Sequence, residues 1–206
     1  SFDVFDAGSS ASAALESISE DGSSAALASS FLSAGDGTIQ GTLTAIGPVA
    51  PGQSVSMNFL LNAGSAFNRY VSYTTMVIPS NDAFLANADP MAYPLWDDEG
   101  NFTPVSFEVP GSAVWDAGTE VNDESSTNTA LFGQAAPNTG DDQGGVVAAH
   151  PGFMAAGNGG ILDDAMFAAA DFTVEGYNMV RITVELATTK IVTRGDFNGD
   201  GNTDIL

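Results

Sequence analysis

The stretch MVRITVEL, residues Met179 to Leu186, decides the fold class. Val180, Ile182, Val184 and Leu186 alternate with Met179, Arg181, Thr183 and Glu185. Successive strand side chains point to opposite faces, so this period of two predicts a half-buried β-strand. Working back toward the N-terminus, YVSYTTMVI (Tyr70–Ile78) is rich in β-branched and aromatic residues and closes at Pro79. Before it, Val55, Met57, Phe59 and Leu61 alternate with Ser54, Ser56, Asn58 and Leu60 after a Pro51-Gly52 turn. Ile39–Ile46 reads as a further β segment, closed by Gly47-Pro48.

The N-terminal region differs in period. Ala14, Leu15 and Ile18 share a helical face that Asp21-Gly22 interrupts. Ala26, Leu27, Phe31 and Leu32 suggest a second short helix stopping near Gly35, with a loop the alternative for either piece. From Pro79 to Gly176 turn-forming residues recur at short intervals, and Pro137–Gly145 is expected to be an exposed loop. The expected class is mainly β.

Composition narrows the partners. The 206 residues include 26 acidic and 4 basic side chains, a net charge of −22. The cations are Arg69, Arg181, Lys190 and Arg194. Such a chain is repelled by nucleic-acid phosphates and by anionic lipid, so neither is expected as a partner. Bound divalent cations would relieve the self-repulsion of the carboxylates. A saline habitat would do the same by screening, and the two are compatible. With 44% hydrophobic residues the chain is not a disordered polyanion. Zero cysteines exclude a disulfide framework and thiolate chemistry. No apolar run approaches the ~20 residues of a membrane span. The opening Ser-Phe-Asp is no signal peptide, though it fits the start left by a removed one.

Two constellations carry oxygen ligands. SNDAF places Asp82 directly after the Tyr70–Ile78 strand, and WDAGTEVNDE places Asp116, Glu120, Asp123 and Glu124 after Trp115. Calcium takes about six to eight oxygens, which carboxylates on loops at one end of a β fold can supply. In so acidic a chain, spacing alone is also compatible with solvated surface.

MVIPSNDAF (Met76–Phe84), followed later by WDAGTE (Trp115–Glu120) and Asn122-Asp123-Glu124, resembles the spondin N-terminal domain family. LESISEDG (Leu15–Gly22) resembles the helix that opens its bacterial members, and Pro51-Gly52 before a strand is similar too. The resemblance spans residues 1–187. It implies a two-sheet antiparallel β-sandwich with short N-terminal helices, and one Ca2+ held by Asp82, Asp116 and Glu120. Glu120 stands where the animal pattern has Asp, one methylene longer. Asp123 would stand behind the ligands. The family implies an extracellular binding or adhesion role, with a protein or glycan partner.

The second constellation is GDFNGDGNTDIL (Gly195–Leu206), after a linker from residue 188. Asp196, Asn198 and Asp200 occupy positions 1, 3 and 5 of a calcium loop, Gly201 the sharp turn, and Asn202 and Asp204 positions 7 and 9. The spacing resembles an FG-GAP/VCBS repeat or, less closely, a dockerin loop, both extracellular and calcium-dependent.

Enzyme readings find little to use. The one histidine, His150, precedes Pro-Gly without a Gly-x-Ser-x-Gly elbow, and reads as a turn residue. Zinc would want further His or Cys. A glycosidase needs two carboxylates, and nothing singles out a pair. Trp96, Trp115, Tyr93 and Phe102 are expected in the core rather than on a sugar-binding surface. The expected function is therefore a secreted or cell-surface calcium-binding adhesion module without catalysis. A calcium-dependent surface-layer or filament subunit that self-associates is the alternative, and a carbohydrate-active enzyme the third.

Overall fold

A computed structural model describes residues 2–35, 38–43, 45, 47–62, 64–65 and 68–187. The expected tail ligands Asp196, Asn198, Asp200, Asn202 and Asp204 lie outside the described residues.

Two helices open the chain, α1 (Ala13–Asp21) and α2 (Ala25–Ser33). Ser12 starts α1 by accepting the Leu15 N–H on its hydroxyl at 3.2 Å. Gly22 ends it at φ 68°, a left-handed conformation glycine enters without strain. Leu15 and Ile18 are buried on its inner face, as their spacing predicts.

Six strands follow: β1 (Thr74–Met76), β2 (Ala83–Ala86), β3 (Val105–Pro110), β4 (Val114–Asp116), β5 (Ala148–Ala149) and β6 (Asn178–Val184). They form two antiparallel sheets, one ordered β1-β2-β4-β5 and the other pairing β3 with β6. The architecture is mainly β and that of a β-sandwich, as expected.

Strand β2 explains the layering. Phe84 and Ala86 face a cluster with Phe5, Leu15, Ile18, Leu27 and Val147. Ala83 and Leu85 face the other way, onto Val109, Val114 and Phe172. The larger sheet thus carries the helices on one face and the β3–β6 pair on the other. A strand covered on both faces shows no polar alternation, and all four residues of β2 are buried. The β3–β6 pair keeps one wet face. There Arg181 pairs with Glu108, and Ser106 and Thr183 hydroxyls meet at 2.9 Å.

The N-terminal strand expectations need correction. Among the described residues, neither Ile39–Ile46 nor Val55–Leu61 forms a strand. The two segments meet through side chains: a Cβ at Gly41 would lie 2.3 Å from Met57 Sδ and 2.7 Å from Phe59 Cε1. They form an exposed arm, with Leu60 91% exposed and Leu43, Met57 and Phe59 also exposed. The strand expected over Tyr70–Ile78 shrinks to β1, because the Tyr73 N–H goes to Asn87 Oδ1 at 3.0 Å instead of a neighbouring strand. Conversely, the Pro79–Gly176 region, read as turns and loops, holds β2, β3, β4 and β5. Among the described residues no helix is long and apolar enough to cross a membrane.

Candidate functional site

Antiparallel register builds the site. Ala83 pairs with Asp116 and Phe84 with Trp115, so Asp82 at the start of β2 lies beside the end of β4. The Ala117 N–H donates to the Asp82 carbonyl at 3.3 Å. Two carboxylates far apart in sequence therefore emerge at one end of the larger sheet.

The turn before β2 is fixed internally. The Ser80 hydroxyl donates to the Val77 carbonyl at 2.5 Å and accepts the Ala83 N–H at 3.1 Å. After β4 the chain turns at Gly118, φ 69°. A Cβ there would also lie 2.6 Å from the Val146 backbone. Both constraints call for glycine at this position. The loop then runs beside Gly140–Gly145: Gln143 N–H reaches Thr119 O at 2.8 Å, Val121 N–H reaches Asp141 O at 2.8 Å, and Gly145 N–H reaches Gly118 O at 2.7 Å. The exposed 137–145 loop is thereby the outer wall of the site.

Asp82 is fully buried. Its Oδ2 accepts the Thr119 N–H at 2.8 Å, the Glu120 N–H at 3.1 Å and the Thr119 hydroxyl at 3.3 Å. Its Oδ1 has no hydrogen-bond partner. Asp116 accepts the Gly118 N–H at 2.7 Å on one oxygen and the Asn122 amide at 2.5 Å on the other. Glu120 is 4% exposed, and its Oε1 also lacks a partner. That carboxylate lies directly over Gly140, where a Cβ would sit 1.2 Å from Oε1. The three residues expected as ligands are all buried, and two of them present unpaired acceptors.

Burial and mutual repulsion raise the proton affinity here. The Asp82 carboxyl is pushed up to about 6, first by burial and then by Asp116, against the pull of the Thr119 and Glu120 N–H groups. Glu120 is pushed up to about 8 by burial and then by Glu20, with Asp82 and Asp123 adding to it, against the pull of a hydrogen bond from the Asn81 side chain. Glu20 rises to about 7, chiefly by burial, while a Thr119 hydrogen bond lowers it. Among the described residues the ion pair is Arg181–Glu108, and none of the described cations pairs with the cluster.

Three neighbours support the loop. Asn81, 1% exposed, donates its amide to Asp123 Oδ1 at 3.3 Å and accepts the Glu124 N–H at 3.2 Å. Asp123 is saturated, taking the Ser125 N–H and the Asn128 amide as well, so it stands behind the site. Glu124 faces away: its carboxylate accepts the backbone N–H groups of Met154 and of Ile161, the latter at 2.7 Å. It anchors that loop and is not a ligand candidate.

Glu20 was not anticipated. It sits at the end of α1, 6% exposed, in a segment whose helical spacing predicts a wet face at that position. Its one sequence signal is the like-charge pair Glu16 and Glu20, four apart, which an exposed helix would disfavour.

His150 accepts the Gly152 N–H on Nδ1 at 3.0 Å, a turn role, and burial lowers its proton affinity. Of the aromatics expected in the core, Trp115 packs against it, while Tyr93, Trp96 and Phe102, outside the two core clusters, are half-buried in aromatic pairs. Trp115 lies 4.8 Å from Phe5, Tyr93 stacks on Phe107 at 3.6 Å, and Trp96 meets Phe102 edge-on at 5.6 Å.

As the side chains stand, no group of three or more His, Asp or Glu residues among the described residues converges closely enough to hold a metal ion. The donor chemistry is nevertheless that of a hard cation: oxygen only, anionic, with Asp82 Oδ1 and Glu120 Oε1 unsatisfied. Fold and site together define an antiparallel β-sandwich with a buried acidic end. Comparison with family models, curated proteins and solved structures finds no match to the chain.

Proposed function

We propose that this chain is a calcium-binding, non-catalytic β-sandwich module acting in adhesion outside the cell, with Asp82, Asp116 and Glu120 as ligands. The observation that carries this reading is the pair of buried, unpaired carboxylate oxygens, Asp82 Oδ1 and Glu120 Oε1, in a cluster that forms no ion pair among the described residues. A buried acceptor left without a partner costs about 1–3 kcal/mol, and more when charged. A divalent cation removes that penalty at both oxygens and cancels the repulsion between their carboxylates. The resemblance to spondin N-terminal domains supports the same three residues and an extracellular protein or glycan as partner. Calcium would stiffen the loop end for presentation to that partner.

A second reading, a self-associating surface-layer or filament subunit, is favoured by the exposed arm. From Gly37 to Asn68 the sequence carries no charge, in a chain of net −22. Copies that repel elsewhere could meet there.

Thermal unfolding of the metal-stripped chain tests the first reading, with and without millimolar calcium, beside Asp116→Asn and Asp200→Asn. Calcium at 100 times its Kd stabilises by about 2.7 kcal/mol, several degrees for a domain of this size. The rise should survive Asp200→Asn and disappear in Asp116→Asn. A midpoint unmoved by calcium, or moved equally by magnesium in both variants, defeats the reading.

A further inference from the structure

We infer that Glu20 is a further ligand of this cation site, and that the bound ion clasps α1 to the sheet. The inference rests on the calcium reading above. Its starting point is geometry. Helix α1 packs against β1 and β2, with Leu15 and Ile18 inserted beside Phe84. That docking carries Ser19, fully buried, and Glu20, 6% exposed, to the acidic end of the sheet.

Glu20 forms no ion pair among the described residues. Its hydrogen-bond partner is Thr119, the residue whose N–H and hydroxyl also serve Asp82 Oδ2. A hydroxyl has one proton and can satisfy one carboxylate at a time. Thr119 is therefore over-subscribed, and Glu20 and Asp82 compete for it. Glu20 and Asp82 each repel the other, and Glu20 also repels Glu120, whose Oε1 is unpaired. A helix that terminates in a buried carboxylate beside two others gains nothing from that contact unless something positive joins them. A hard cation between Asp82, Glu120 and Glu20 would use the unpaired oxygens and free Thr119 for one partner.

The consequence is mechanical. Asp82 comes from the turn ahead of β2, Asp116 from β4 and Glu120 from the following loop, whereas Glu20 comes from the N-terminal helix. A shared ion would make helix docking depend on calcium, so the helix loosens when calcium falls and seats when it rises. The chain ahead of α1 would follow, since Val4 and Phe5 pack in the same cluster as Leu15.

Calorimetric titration of the metal-stripped full chain with calcium tests this, in an Asp200→Asn background that silences the tail loop. Glu20→Gln is compared with Glu16→Gln, which removes a charge that also repels Glu20 but lies one helical turn farther back. Glu20→Gln should weaken calcium binding about tenfold or more, the scale on which ligand charge tunes such sites. Glu16→Gln should weaken it by no more than about twofold, because Glu16 adds charge one helical turn away and no ligand oxygen. Without calcium, Glu20→Gln should unfold at a higher temperature than its parent, because one repelling charge is gone. A merely structural role would lower both quantities together. Amide hydrogen exchange across α1 should slow on adding calcium to the parent and not in Glu20→Gln. Equal calcium affinity in parent and Glu20→Gln, with α1 exchange unmoved, overturns the clasp while leaving the calcium reading intact. Absence of calcium binding in the parent sinks both.

Discussion

The acidic end of the sheet and the arm, as far as it is described within residues 38–62, invert ordinary burial in opposite directions. At the first, Glu20, Asp82, Asp116 and Glu120 are buried although each is ionisable. At the second, Leu43, Met57, Phe59 and Leu60 are exposed although each is apolar, and the stretch has no charged residue. Carboxylates are seldom fully buried unless paired, and clustered exposed apolar side chains mark contact surfaces. On the readings proposed above the two inversions take different partners: a cation for the buried acids, an uncharged surface for the arm.

The comparison can be broken by substitution. The largest effect is expected from Gly140→Ala, because its Cβ would overlap the Glu120 carboxylate. Displacing that side chain should abolish calcium-dependent stabilisation and lower stability by about 1–3 kcal/mol, the usual scale of overpacking. Denaturant unfolding with and without calcium reads both. Retained calcium stabilisation would place the ion away from Glu120. A smaller effect is expected at the arm. Leu60→Lys should change stability by less than about 0.5 kcal/mol, since a side chain 91% exposed buries little. Its effect should fall on association. Sedimentation velocity should show self-association that strengthens as salt screens the net charge and weakens in the variant. A parent monomeric at every concentration and salt would remove the second reading.

How far the sequence carried the structure depended on periodicity. β6 was legible because it is covered on one face, and α1 because Leu15 and Ile18 mark its inner side and Gly22 its end. β2 and β4 were not, since short strands between two layers alternate nothing. The arm failed for the opposite reason. Val55–Leu61 alternates as a strand should, yet Met57 and Phe59 lie over Gly41 and the two segments form no ladder among the described residues. At the site, the positions of Asp82, Asp116 and Glu120 came from motif resemblance, and the β2–β4 register supplies a physical reason for the first two to meet. Glu20 was hidden because its burial follows from how α1 docks, and only tertiary packing reveals which carboxylates share a space.

The most direct test of the account is thermal stability of the metal-stripped chain between pH 4 and pH 9, with and without calcium. Asp82, Glu20 and Glu120 are raised to about 6, 7 and 8 in the folded chain. Their folded forms hold protons that the unfolded chain releases near pH 4. Stability from these groups is therefore full below about pH 4 and is lost as pH rises through 6 to 8. Calcium competes with those protons, so its stabilisation should be small at pH 4 and largest above pH 8. The account predicts a midpoint that falls with pH in the stripped chain and is restored by calcium at the alkaline end. A midpoint that rises from pH 5 to pH 8 without calcium, or a calcium effect independent of pH, would contradict it.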